Sequence, residues 1–156
     1  MKVLFMCTHN SCRSILCEAL FNHLAPEGIE AVSSGSFPSG RVNPRALQTL
    51  EAAGIGTAGL GSKASDAFEG SPPDVVITVC DRAAGEACPI FFGPALKAHW
   101  GLADPSQASG SEQEITAAFA ATLTKIRERA SAFLELPLKT MSAERLEAEL
   151  SRIGNL

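Results

Sequence analysis

Val3-Leu4-Phe5-Met6-Cys7-Thr8-His9-Asn10-Ser11-Cys12-Arg13-Ser14 is the stretch that decides the fold. Val3 to Met6 is a short apolar run that ends at a cysteine, as a buried parallel strand would. A polar turn follows at once. Ile15, Leu16, Ala19, Leu20 and Leu24 then recur at helical spacing, with Ser11 or Ser14 near the helix start. Strand, turn and helix in direct succession open an α/β fold.

The rest of the chain continues the alternation. Glu30 to Ser34 reads as a second strand and Gly35 to Gly40 as a loop. Asn43-Pro44 fits an N-cap with proline at the first helical position, and Ala46, Leu47, Leu50 and Ala53 carry the period to Gly54. Asp74 to Val79 holds the strongest strand pattern, with Val75, Val76, Ile77 and Val79 forming a β-branched core run that ends at Cys80. Ser111-Glu112-Gln113-Glu114 looks like a capping box that opens a long helix, with Ile115, Phe119, Leu123, Ile126 and Phe133 on one face. Pro137 interrupts it, and Ser142 to Ile153 reads as a terminal helix. The expected architecture is a single α/β domain with a central parallel sheet and helices on both faces. Residues 1–137 form its body, and 138–156 a C-terminal helical extension packed on the same domain. There is no internal repeat, low-complexity segment or interdomain linker.

Composition narrows the function classes. The 156 residues are 46% hydrophobic and 19% charged, enough to bury a core. The net charge is −4 with no run of Lys or Arg, which argues against a nucleic-acid partner. An anionic substrate would need a positive field that is local. The N-terminal apolar run is too short for a signal peptide, and no stretch approaches the ~20 apolar residues of a membrane span. The expectation is a cytoplasmic protein with no membrane partner. Five cysteines in a reducing compartment point to thiol chemistry or metal binding before structural disulfides.

The loop itself suggests the chemistry. Backbone N–H groups of a strand-to-helix turn converge into an anion nest, and the helix N-terminus adds partial positive charge. Thr8, His9, Asn10, Ser11 and Cys12 would supply that nest. The same environment favours a Cys7 thiolate. Arg13 can return to the loop mouth and hold two oxygens of a tetrahedral oxyanion, and Ser14 can donate to the sulfur. Cys-x5-Arg alone is weak evidence, because a buried inert cysteine followed by a surface arginine satisfies it. Its place between a strand and a helix at the chain's start gives it weight.

This opening, together with Ser33-Ser34-Gly35, Val42-Asn43-Pro44 and His99-Trp100-Gly101-Leu102-Ala103-Asp104-Pro105, resembles the low-molecular-weight protein tyrosine phosphatase family. More closely it is similar to the arsenate reductases built on that fold. The resemblance covers about residues 1–135, with His9 standing where many relatives carry Gly. It implies Cys7 as nucleophile and Asp104 as general acid toward the leaving oxygen. Phosphatases of the family carry an aromatic residue after Asp-Pro; here Ser106 follows, and the chain has no Tyr. The resemblance also assigns Cys80 and Cys88 to a relay. Cys80 would attack a Cys7–arsenate adduct, expelling arsenite and leaving a Cys7–Cys80 disulfide. Cys88 would then take over Cys80, and an external reductant would regenerate the dithiol. No tightly bound cofactor is implied; thioredoxin is the expected reductant, with glutaredoxin and glutathione as the alternative. Some related reductases hold a potassium ion on residues matching Asn10, Glu18, Ser33 and Asp66. Cys12 lies near enough to Cys7 for an off-pathway disulfide, and Cys17, His23 and His99 read as packing. The expected function is arsenate reduction by a monomer. The competing readings are a phosphotyrosine phosphatase and a noncatalytic thiol sensor or metal-binding module.

Overall fold

The computed structural model describes residues 1–68, 70–91 and 93–156. The chain runs β1 (Lys2–Cys7), α1 (Arg13–Leu24), β2 (Glu30–Gly35), α2 (Pro44–Ala52), β3 (Val75–Thr78), β4 (Leu96–His99), α3 (Glu112–Leu134) and α4 (Ala143–Gly154). The four strands form one parallel sheet in the order β2-β1-β3-β4. A central strand must be satisfied on both sides and both faces, which is why β1 is apolar throughout its interior.

Alternate residues of the strands face two unequal layers. Val3, Phe5, Val75 and Ile77 join the main core with Leu16 and Leu20 of α1, Phe119 and Phe133 of α3, and Leu146, Leu150 and Ile153 of α4. At its centre the rings of Phe5, Phe21, Phe133 and Trp100 touch in a closed circuit, with centroids 5.5–6.2 Å apart. The other face carries Leu4, Met6 and Val76, covered by Val32, Phe91 and Ala95 from β2 and the approach to β4.

The helix ends follow the local chemistry of the sequence. Asn43 caps α2 through its side-chain oxygen, which accepts from the N–H groups of Arg45 and Ala46, and Pro44 holds the first helical position. Ser111 and Glu114 form the reciprocal capping box of α3. Strand β4 is the element with no counterpart in the sequence reading. Leu96-Lys97-Ala98-His99 has no β-branched residue and lies at the sheet edge, where only β3 specifies it.

Two interactions fix the segment that leaves β4. The Trp100 indole N–H donates to the Leu150 carbonyl at 2.9 Å, tying it to α4. Buried Arg129 donates to the carbonyls of Gly101 and Gly154 at 3.0 and 3.1 Å. The strand ends therefore meet at one rim of the sheet, where open α/β sheets bind ligands. Among the described residues no helix is long and apolar enough to cross a membrane.

Candidate active site

Cys7 is the last residue of β1 and pairs in register with Gly35 of β2. The loop after it passes directly over Gly35, where a Cβ would stand 2.5 Å from the Thr8 carbonyl oxygen and 2.9 Å from the Asn10 nitrogen. Glycine at position 35 is what lets the loop sit there. Its carbonyls are taken from outside. Those of Cys7, Thr8, His9 and Ser11 accept from the N–H groups of Ser36, Phe37, Ser39 and Asn43, at 2.8–3.3 Å. Peptide planarity then turns the following N–H groups toward the opposite, concave side. The Asn10 N–H demonstrates this by donating to Cys7 Sγ at 3.2 Å.

Asn10 holds the loop's shape. It has φ +48°, a left-handed conformation that asparagine tolerates better than most residues. Its buried amide donates to Ser14 Oγ at 2.8 Å and Ser33 Oγ at 2.9 Å, while its carbonyl oxygen accepts from the Lys63 N–H at 2.9 Å. Ser14 Oγ in turn lies 2.8 Å from Cys7 Sγ. The nucleophile candidate thus sits at the foot of α1 with two hydrogen-bonding partners, and its residue is 3% exposed. The His9 ring turns outward to the Phe37 carbonyl, at 3.1 Å.

Arg13, the first residue of α1, gathers the remaining segments. It is buried, and Nη1 donates to the Leu102 carbonyl at 3.2 Å and the Val79 carbonyl at 3.5 Å. Asp104 Oδ2 lies 3.5 Å from Nη2. Asp104 also caps the turn Pro105–Gln107, accepting from the Ser106 N–H at 2.9 Å and hydroxyl at 2.6 Å. The fork of Arg13 is occupied by Glu86, whose two carboxylate oxygens each accept a bond of 2.7 Å. Thr8, Arg13, Glu86, Asp104 and Gln107 line the open cavity at this mouth, about 590 Å³ in volume; no Phe or Trp lines it among the described residues.

Cys80 and Cys88 are joined by a disulfide, while Cys7, Cys12 and Cys17 are free. Cys80 is fully buried, and Cys88 is half-buried. Arg82 Nε donates to Cys88 Sγ at 3.3 Å, and His99 Nδ1 lies 3.9 Å from that sulfur and 2.8 Å from Thr78 Oγ1. Burial, with Arg82 and Arg129 nearby, depresses the His99 pKa and favours a neutral ring. Burial raises the Cys12 thiol to about 12, and Cys17 is pushed up for the same reason, so both stay protonated near neutral pH.

The candidates singled out in the sequence fall into two groups. Cys7 through Ser14, Cys80, Cys88 and Asp104 meet at one rim. The potassium set forms the second group. Asn10, Ser33 and Glu18 are linked, with Ser33 Oγ donating to Glu18 Oε1 at 2.7 Å, but Asn10 turns its NH₂ rather than its oxygen toward Ser33. The Lys63 ammonium stands 3.6 Å from the same Glu18 oxygen. These residues do not fit a potassium ion, because a side-chain cation already lies against the carboxylate and the amide oxygen is committed. The cluster that could hold a metal among the described residues is Cys80, Cys88 and His99, whose ligand atoms lie within 4.8 Å, but the two sulfurs are bonded to each other. Glu86, Arg82 and His99 were not read from the sequence as site residues. An acidic and a basic residue lying between the two relay cysteines were the available signal.

The sequence profile described as low molecular weight phosphotyrosine protein phosphatase matches residues 2–150. An arsenate reductase of Bacillus licheniformis is 35% identical over 134 residues, spanning 85% of this chain and 94% of that protein. Among solved structures, an arsenate reductase from Archaeoglobus fulgidus superposes with a TM-score of 0.72 at 25% identity, covering 86% of this chain and 99% of that one. A thioredoxin-dependent arsenate reductase of Corynebacterium glutamicum gives 0.55 at 27% identity, covering 83% of this chain and 61% of that one.

Proposed function

The chain belongs to the low molecular weight phosphotyrosine protein phosphatase family, and within it we propose an arsenate reductase that uses Cys7, Cys80 and Cys88 in turn. The observation that carries this reading is the Cys80–Cys88 disulfide, closing the segment whose Glu86 reaches Arg13 of the Cys7 loop, while Cys7 itself is free. That pattern is the end state of a three-thiol relay, and a phosphatase has no use for it.

The Cys7 thiolate attacks arsenic, and one arsenate oxygen leaves as water with a proton from Asp104. Loop N–H groups and Arg13 hold the remaining oxygens. The Cys80 thiolate then attacks Cys7 Sγ. The S–As bond breaks, its electron pair stays on arsenic, and As(V) leaves as As(III). Cys88 attacks Cys80, which forms the observed disulfide and returns Cys7 as a thiolate. An external dithiol supplies the two electrons that reopen Cys80–Cys88. Thioredoxin is the proposed donor, supported by the thioredoxin-dependent Corynebacterium relative; glutaredoxin with glutathione is the alternative. The half-buried Cys88, rather than the fully buried Cys80, is the sulfur such a partner can approach. The need to keep three thiols reduced supports a cytoplasmic setting. Action as a monomer is part of the same proposal.

The absence of an aromatic wall at the cavity, among the described residues, weighs against a phosphotyrosine ring as the natural substrate. The deciding experiment is to incubate fully reduced protein with arsenate and count free thiols. Two thiols should disappear for each arsenite released. An unchanged count, with efficient hydrolysis of phosphotyrosine peptides, would return the chain to the phosphatases.

A further inference from the structure

Arg13 is the charge clamp of the loop, yet a group of the protein already fills it. Glu86 Oε2 accepts from Nη1 and Oε1 from Nη2, both at 2.7 Å, in the forked geometry that a guanidinium also offers an oxyanion. Oε1 further accepts from Thr8 Oγ1 at 3.4 Å, and Oε2 from the Asp81 N–H at 2.9 Å. The carboxylate therefore draws on the loop, the clamp and the neighbouring turn, as a bound anion would.

It belongs to the segment that the redox pair closes. Glu86 lies in the ring closed by Cys80–Cys88, and its own N–H donates to the Asp81 carbonyl at 3.0 Å. Gly85 precedes it with φ +80°, a conformation that turns the chain so that residue 86 faces the cavity. The Arg13 guanidinium, joined by the Asp81 N–H, holds the Glu86 carboxyl at about 2, so it stays charged at every physiological pH. Protonation does not empty the clamp. Movement of the 80–88 segment or a competing anion must.

We propose that Glu86 is an internal counter-anion that occupies the oxyanion clamp while Cys80 and Cys88 are joined, and so determines which redox form of the enzyme takes up substrate. The identity of that substrate rests on the arsenate-reductase reading; the competition for Arg13 does not. An arsenate bound to the oxidised form would be unproductive, because no Cys80 thiolate exists to attack the Cys7 adduct. Reduction of the disulfide by an external dithiol, with two electrons and two protons, yields two thiols and opens the ring. Glu86 is then free to leave Arg13, and a tetrahedral dianion takes its place.

Inorganic phosphate is a suitable probe, since it has the shape and charge of arsenate and is not reduced. Its binding to the full chain can be read from amide shifts in an NMR titration, with the Cys80–Cys88 disulfide checked by mass. Oxidised wild type should bind phosphate about tenfold or more weakly than reduced wild type, because the competent fraction is small while Glu86 holds the clamp. Oxidised Glu86→Gln should bind within about twofold of the reduced protein, having lost the competing charge. Equal affinity of the two wild-type forms would overturn the proposal, and so would an oxidised Glu86→Gln that binds no better than oxidised wild type. The wild-type comparison stands even if the variant does not fold. Phosphate binding involves no reduction, so failure here is distinguishable from a failed arsenate assay.

Discussion

The loops after β1 and β3 leave neighbouring parallel strands at the same rim, and a cysteine stands where each strand gives way to its loop, yet they are built in opposite ways. The first, from Cys7 to Ser14, is buried around Asn10, Cys12 and Arg13, and four of its carbonyls are held by residues 36–43. The second, from Cys80 to Cys88, exposes Arg82 to Gly85, contains small residues, and is shaped by a disulfide, the Arg13–Glu86 pair and the Asp81 cap. A charged transition state is held best by donors that need no rearrangement. A sulfur that must reach two different partners in turn needs a segment with few fixed contacts. The two constructions fit these two tasks.

The largest expected effects test whether the tasks divide this way. Cys7→Ser should lower arsenite formation by about a thousandfold or more, because no other thiolate lies in the nest. The variant should still accept electrons from thioredoxin into its Cys80–Cys88 disulfide, as followed by NADPH consumption in a coupled assay. Substantial arsenite release would place the nucleophile elsewhere. Cys88→Ser should release one arsenite per molecule and then stop, trapped as Cys7–Cys80, a species visible by mass after proteolysis. Sustained turnover with thioredoxin would remove Cys88 from the relay. Asp104→Asn comes next, with a loss of about 10²–10⁴ in the first step if it serves as the acid. Unchanged single-turnover rates would leave Asp104 as a turn cap alone.

The rigid loop was also the more legible of the two in the sequence. Its strand, turn and helix are consecutive, and local pattern suffices to order them. The same holds for the Asn43-Pro44 cap and the Ser111/Glu114 capping box. What sequence could not supply was contact over distance. Glu86 meets Arg13 across 73 positions, and His99 reaches Cys88 only because β4 pairs with β3. Edge strand β4 lacks a β-branched run because one neighbour and partial exposure ask little of it. The residues expected to hold potassium illustrate the same point. Their types are present, but nothing in their spacing reveals that Lys63 folds back onto Glu18.

Stability separates the loops by a smaller margin. Asn10→Ala removes the partners of Ser14, Ser33 and the Lys63 N–H, and puts alanine at φ +48°. A loss of about 2–4 kcal/mol is expected from unsatisfied buried groups and backbone strain, read by urea denaturation. Arg82→Ala, on the exposed turn of the other loop, should cost no more than about 0.5 kcal/mol. Equal losses would mean that the second loop is as tightly determined as the first.

The smallest effect concerns acid, and it isolates the one ion pair that joins the two loops. Arg13 lowers the Glu86 carboxyl from its ordinary 4.5 to about 2 in the folded protein. Between those values the unfolded chain binds the extra proton and the folded protein does not, so stability rises with pH across this window. The contribution is complete above about 4.5 and is lost as pH falls toward 2. The carboxylate is partly solvated, so screening keeps the contribution small. Glu86→Gln should therefore flatten the acid limb of a stability–pH curve between pH 2 and 4.5 and leave its shape near neutrality unchanged. If the curve keeps its slope in the variant, Glu86 is not held by Arg13 in solution, and the second loop is attached to the first more loosely than the 2.7 Å contacts imply.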